Sequence, residues 1–495
     1  MTSEPVGHQV DIERIRSALE RAELLETTAG ELPGNATDIT DDSRAVTPGA
    51  LFIAVRGSTR DGHEFLEQAR ERGAVAAIVE EPGRTTLPAL VVRDGRRAAP
   101  LAAAEAFGHP GSSLRLIGVT GTNGKTTTVG LLRHILDGHD GRAASIGTMG
   151  VLVGSAGEPL EGGAGLTTPG PVELQRVLRA LVDRDVHTVA MEVSSHSLDQ
   201  RRVEGLVFEA AVFTNLTRDH LDYHGTMEEY FAAKARLVSY LAPGGAAVIS
   251  AADPAWRALP PAPRVIDFGM EPGATVRAEA VHYHPRGSEW RLCAESQRHS
   301  LTLPLIGDFN VVNALGAAAA AWHLGMSIST IAGRLRTAPQ VPGRLEVIHE
   351  HPTVVRDYAH TPDSLERALA ALRPFTRRRL IVVFGCGGDR DRGKRPQMGN
   401  IAERGADYAI VTSDNPRTED PEEILDDIER GMRKDNHERI EDRELAILQA
   451  LEMADPANDV VLLAGKGHET YQIRGTTKLP FDEKAIVAEL TGYRR

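Results

Sequence analysis

The sequence predicts an α/β protein of three domains, with a central P-loop-type, mainly parallel sheet and a C-terminal Rossmann-like domain. Three observations carry this expectation. The chain has 495 residues, too many for one compact core. A strand over 114–119 runs into a glycine-rich loop and then a helix over 129–136. From residue 380 onward strands and helices alternate, which favours a parallel sheet covered on both faces.

Each block is read from its own pattern. The first domain, 1–110, holds short apolar runs at 51–55 and 75–79 that read as strands. Between them, 64–72 has helical spacing, with Phe65, Leu66 and Ala69 on one face. The alanine-rich stretch 97–107 reads as a helix, broken by His109-Pro110-Gly111. The second domain, 111–340, contains the loop and its strand, a second apolar strand over 188–191, and an alanine-rich helix over 317–321. The third, 341–495, opens at Val341-Pro342-Gly343 and places strands at 380–384, 408–412 and 460–464, with helices at 398–404 and 421–433. No internal repeat or low-complexity tract interrupts these blocks.

Composition excludes several classes. Hydrophobic residues make up 41% and charged residues 25%, the balance of an ordinary globular protein. No apolar run reaches the roughly 18 residues of a membrane span, and Met1 to Val10 lacks a signal-peptide pattern. Two well-separated cysteines, Cys293 and Cys386, argue for a reducing cytoplasm. A net charge of -13 argues against nucleic acid as a partner.

The loop Gly121-Thr122-Asn123-Gly124-Lys125-Thr126-Thr127 carries the chemistry. Glycines let backbone N–H groups turn toward phosphates, and the following helix N-terminus adds partial positive charge. Lys125 is placed for the β and γ phosphates, and the Thr126 hydroxyl for Mg²⁺. The general pattern wants a further glycine six residues before the lysine, where this chain has Val119. The bland alternative is a glycine-rich turn ahead of a helix.

This shortened loop resembles that of the Mur ligase family, and the resemblance extends along nearly the whole chain. It takes in Asp42-Ser43-Arg44, Leu166-Thr167-Thr168-Pro169, and Glu192-Val193-Ser194-Ser195-His196 with Gln200 and Arg202. It continues through Asn215 to Asp222 and Lys234, then Pro342-Gly343-Arg344 and Asp357-Tyr358-Ala359-His360. Gly385 to Arg390, Asp414-Asn415-Pro416-Arg417 and Gly465-Lys466-Gly467-His468-Glu469 complete the order.

The resemblance implies an ATP-dependent amide ligase of peptidoglycan synthesis. ATP would activate a carboxylate of UDP-MurNAc-L-Ala-D-Glu as an acyl phosphate, and diaminopimelate would attack it. ATP is then expected at Gly121 to Thr127, Asn310, Arg344 and Asp357. The UDP-sugar peptide is expected at Asp41, Ser43, Ser58, Thr59, Arg60, Thr167, Thr168, Ser194, Gln200 and Arg202. Mg²⁺ would be held by Thr126, Glu192, His220 and Lys234 as its carbamate, and Lys125, Lys234, Glu192 and His220 are the expected catalytic residues. From the residues alone, Glu192 also reads as a surface carboxylate, His220 as a hydrogen-bonding histidine, and Lys234 as a solvated lysine. Diaminopimelate is expected at Arg390, Asp414, Asn415, Pro416, Arg417, Gly465 and Glu469. Arginine decides this last expectation: diaminopimelate differs from lysine by a far carboxylate, which a guanidinium holds bidentately. A monomer is expected.

Other readings compete. A lysine-adding or folylpolyglutamate synthase-like ligase would share the ATP core but lack the Asp-Asn-Pro-Arg set. A non-catalytic nucleotide switch would not need Glu192, His220 and Lys234 in register. A P-loop kinase leaves the third block unexplained.

Overall fold

A computed structural model describes residues 9–57, 60–163, 165–284 and 286–492. Three sheets account for the architecture, and each expected strand falls in one of them, with its ends moved by a residue or more where chain geometry intervenes. Ser58 and Thr59, expected at the UDP-sugar, lie outside the described residues.

The first sheet has five strands in the order Leu25–Ala29, Ala89–Val92, Ala76–Val79, Leu51–Ile53, Ile39–Thr40. The alanine-rich helix is Gly95–Ala106, started by the Asp94 carboxylate, which accepts from Arg97 N–H. The segment expected as one helix over 64–72 splits into a 3-10 turn, Gly62–Phe65, and a helix, Leu66–Glu71.

The central sheet has eleven strands. Its middle is parallel, with Arg115–Thr120 between Val186–Glu192 and Phe208–Phe213. The loop that follows Arg115–Thr120 therefore opens at the carboxyl edge, where strand order reverses, the place where open α/β sheets bind ligands. The next helix is Lys125–Leu136 and starts earlier than 129. The threonines at its start have modest helix propensity. Gly124 nonetheless caps the helix at φ 84, a left-handed conformation natural to glycine. Against it packs Asp308–His323, whose buried Ala317 to Ala321 let two helices approach closely.

The far side of this sheet went unread in the sequence. Val276–His284, Gly287–Ala294 and Gln297–Leu303 form an antiparallel meander. Gln297–Leu303 is the open edge: Leu301 and Leu303 point inward, and its other side chains are largely polar. The Arg336 guanidinium donates to the Ser300 carbonyl on that edge.

The third sheet runs Glu346–Glu350, Thr353–Asp357, Val460–Ala464, Leu380–Phe384, Tyr408–Val411, His437–Arg439, parallel except for the first pair. Helices Lys394–Gly405 and Pro421–Glu429 cover one face. Helices Arg443–Met453 and Glu483–Gly492 cover the other. A hairpin, Tyr471–Arg474 with Thr477–Pro480, stands beside the carboxyl ends of these strands. Among the described residues no helix is long and apolar enough to cross a membrane.

Candidate functional site

The carboxyl ends of the central and third sheets face one another across a cleft. On the central side, Gly121 to Thr127 turns out of the sheet. Asn123 N–H donates to Asn215 Oδ1 at 2.9 Å, and the Thr214 hydroxyl donates to Asn123 O at 2.6 Å. No side chain caps the helix that starts at Lys125, so its first-turn amides face the cleft. Two bonds cross from the third sheet: Asn123 Nδ2 to Asp363 Oδ2 at 3.1 Å, and Arg344 to Thr126 Oγ1 at 3.1 Å. Arg344 also lies over the Tyr358 ring, 4.5 Å from its centroid.

Thr122 to Thr127, Glu192, His220, Arg344 and Asp357 line a cavity of about 230 Å³. Asn310 is not among its lining residues, contrary to expectation. Its amide is spent inside the helix, donating to Ile306 O at 2.8 Å and accepting from Asn313 Nδ2 at 3.1 Å. Asn313, one turn on, faces the cavity instead. Period-3.6 geometry could have named it, since i and i+3 share a helix face.

Two lysines meet one acceptor. Lys125 Nζ donates to Gly121 O at 2.9 Å and Thr122 O at 2.8 Å, and Lys234 Nζ donates to the same Gly121 O at 2.8 Å. Lys234 is fully buried, on helix Met227–Ala235, with Nζ 4.4 Å from the centroid of the Tyr230 ring. Burial, then the charge of Lys125, holds its pKa well below the usual lysine value, while Asp219 opposes. Burial also lowers that of Lys125, opposed by Glu192 and Asp219. The solvated-lysine reading of Lys234 is therefore excluded.

Glu192 is the last residue of its strand and is buried, so it is not a surface carboxylate. Thr148 N–H donates to Oε1 at 2.9 Å and the Thr148 hydroxyl to Oε2 at 3.2 Å. A Cβ at Gly147 would stand 2.2 Å from Oε1, so only glycine leaves the carboxylate its place. His220 Nε2 lies 3.4 Å from Asp219 Oδ2, and burial pushes its pKa down to about 4 despite that neighbour. A neutral ring keeps a nitrogen lone pair available. The Thr126 hydroxyl and the Glu192 carboxylate are hard oxygen donors that suit Mg²⁺; an imidazole is a less usual partner for it.

A cavity of about 660 Å³ adjoins the first, and Lys125, Thr167, Asp219, His220, Tyr358 and His360 line both. Its far end gathers Arg390, Asp414, Asn415, Arg417, Gly465 and Glu469 from three strand-end loops. Pro416 is not on its lining and shapes the loop. Arg417 sits at φ 52, and its guanidinium donates to Gly388 O at 2.8 Å. A third cavity, about 1120 Å³, is lined by Asp41, Ser43, Arg60, Gln200 and Arg202, and joins the second at Gly165, Leu166 and Arg202. Burial raises the Asp41 pKa to about 6. The sequence reading passed over Arg56, Arg96 and Arg176, which line this cavity too; no motif marks them, because scattered arginines look like surface charge. Thr167 and Ser194 face the second cavity. Thr168 does not: its hydroxyl donates to Glu192 O at 2.8 Å and accepts from Ser194 N–H at 3.1 Å, tying two loops together.

Comparisons with known proteins agree with this fold. Models of the Mur ligase family, catalytic domain, the Mur ligase middle domain, and the Mur ligase, glutamate ligase domain match residues 36–110, 119–321 and 343–467. A protein of Geobacillus thermodenitrificans named UDP-N-acetylmuramoyl-L-alanyl-D-glutamate--2,6-diaminopimelate ligase is 46% identical, covering 92% of this chain and 94% of that one. A solved structure with the same name superposes at TM-score 0.64 and 34% identity, covering 92% of this chain and 95% of its own. The MurF ligase of Thermotoga maritima in complex with ADP shares the fold, at TM-score 0.64 and 21% identity, over 87% of this chain and 94% of its own.

Proposed function

We propose, from the premise that this chain belongs to the Mur ligase family, that it joins meso-2,6-diaminopimelate to the D-Glu of UDP-MurNAc-L-Ala-D-Glu at the expense of ATP. One observation carries the reading: Lys125 of the phosphate loop and Arg417 of the Asp-Asn-Pro-Arg loop line a single cavity. An activated carboxylate and an amine must meet, and the two groups suited to hold their far ends share one space. The name of the 46%-identical relative supports the same amine.

In this reading the D-Glu carboxylate oxygen bonds to the γ-phosphorus and ADP leaves. The amine nitrogen then bonds to the acyl carbon and phosphate leaves. The first-turn amides and Lys125 hold the phosphates, and Arg344 reaches them across the cleft. Positioning and charge neutralisation dominate such phosphoryl transfers. Mg²⁺, when bound, supplies further neutralisation, and Thr126, Glu192 and His220 would hold it, assisted by Lys234 as a carbamate. Two amines on one Gly121 carbonyl favour one being neutral, and a neutral Lys234 amine is the form that adds CO₂. The residues near 38–60 with Arg176 and Arg202 would hold the UDP-sugar, the central sheet ATP, and the third sheet the amine. With a UDP-linked precursor and ATP as its substrates, the enzyme would work in the cytoplasm.

Purified protein given ATP and UDP-MurNAc-L-Ala-D-Glu should release phosphate with meso-diaminopimelate and far less with LL-diaminopimelate or L-lysine. Turnover with lysine alone would sink the assignment. ¹³C-bicarbonate should add a carbonyl resonance that Lys234→Arg lacks.

A further inference from the structure

We infer that Lys466, a residue beneath the amine cavity rather than in it, sets the cavity's charge balance and so selects an amine bearing a far carboxylate over one bearing only a far ammonium. This rests on reading that cavity as the amine site. At its far end the ionisable groups on the wall are Asp391, Asp414, Glu469, Arg390, Lys394, Arg417 and Tyr471. Lys466 is fully buried, with the Tyr471 and Phe481 rings each 5.9 Å away. Its ammonium lies 3.2 Å from Asn415 Oδ1 and 3.3 Å from Glu469 Oε2.

These contacts fix what the wall presents. An ammonium only donates, and so does Ile473 N–H, 2.9 Å from the same Asn415 oxygen. The Asn415 oxygen must therefore face Lys466 and Ile473, which turns Nδ2 toward Glu469 Oε2 at 2.9 Å. Glu469 Oε2 thus takes two donors, and Oε1 makes no contact with either. Because Lys466 offsets the Glu469 charge, Arg390, Lys394 and Arg417 outweigh the remaining carboxylates, Asp391 and Asp414. That balance suits a zwitterionic amino-acid end. Without Lys466 the Glu469 charge is no longer offset, the wall falls from net positive to neutral, and its preference for a far carboxylate weakens. Arg443, the neighbouring buried cation, does something different: it pairs with Glu483 at 2.8 Å and donates to Ala464 O at 2.9 Å, away from the wall.

The test compares steady-state kinetics with meso-diaminopimelate and with L-lysine. Lys466→Met should lower kcat/KM for diaminopimelate about 30-fold or more, chiefly through KM, since truncating one member of a buried charged pair is costly. Lysine should lose less, so the ratio of the two falls about tenfold or more, with KM for ATP unchanged. Lys466→Arg, keeping the charge, should hold the ratio within about threefold of wild type. If Lys466→Met does not fold, the double variant Lys466→Met, Glu469→Gln, which restores the wild-type charge balance, is compared with Glu469→Gln alone, and a ratio closer to wild type in the double variant supports the charge account. An unchanged ratio in Lys466→Met, equal damage from Met and Arg, or a double variant no nearer the wild-type ratio than Glu469→Gln would each overturn it. Wild-type failure on diaminopimelate would instead fall on the functional reading.

Discussion

The phosphate end and the amine end of the site are built in opposite ways. At the proposed phosphate end seven consecutive residues form the site, and the groups offered for recognition are backbone amides at a helix start. At the proposed amine end the groups offered for recognition are side chains, and they come from loops far apart in sequence. Those loops are braced by others: Gln472 donates to Asp414 O at 2.8 Å, and Ile473 O accepts from Arg417 N–H at 3.1 Å. A backbone site tolerates little change in conformation. A side-chain site depends on a second layer that holds orientation and charge.

Substitutions can break this contrast at either end. The largest effect is expected from Lys125→Ala, which should cost about 10³-fold or more in kcat, read by phosphate release, because removing one cation from a phosphoryl-transfer site is severe. Binding of the amine, followed by calorimetry, should be untouched. Arg417→Ala should reduce kcat/KM for diaminopimelate about 10²-fold or more and erase its preference over lysine, with KM for ATP held. Gly124→Ala should cost about 1–2 kcal/mol of left-handed strain, seen as roughly tenfold weaker ATP binding. A side-chain swap at the neighbouring Thr127 should do less, sharpening the claim that backbone carries recognition there.

The smallest effect concerns pH. Burial raises the Asp357 pKa from 3.8 to about 6 although Arg344 opposes. The folded state then holds a proton that the unfolded chain has released. Between those values stability falls as pH rises, by on the order of 2–3 kcal/mol at most. Asp357→Asn should flatten that window in denaturant midpoints recorded from pH 4 to 7.

The same contrast explains what the sequence disclosed. The phosphate loop was legible because its chemistry is contiguous, and the parallel cores were legible because buried strands are short apolar runs such as Leu380–Phe384. Asp414 to Arg417 could be named, but only through a family resemblance, since Asp-Asn-Pro alone is a turn signal. Asn313 was not named, because nothing in the sequence marks which asparagine of Asp308–His323 faces a cleft. Lys466 stood in a quoted motif, yet nothing in one dimension tells a buried lysine from a solvated one. The meander over 276–303 was missed because its mixed polar and apolar strands lack a strong run.

That meander ends in a strand paired on one side only, and an eleven-stranded sheet with a free edge is a template for self-association. Gln297–Leu303 answers with Gln297, Arg298 and His299 at its exposed start, while Arg336 occupies the Ser300 carbonyl that a foreign strand would seek. Arg336 thus occupies one of the backbone acceptors through which a second copy could extend the sheet.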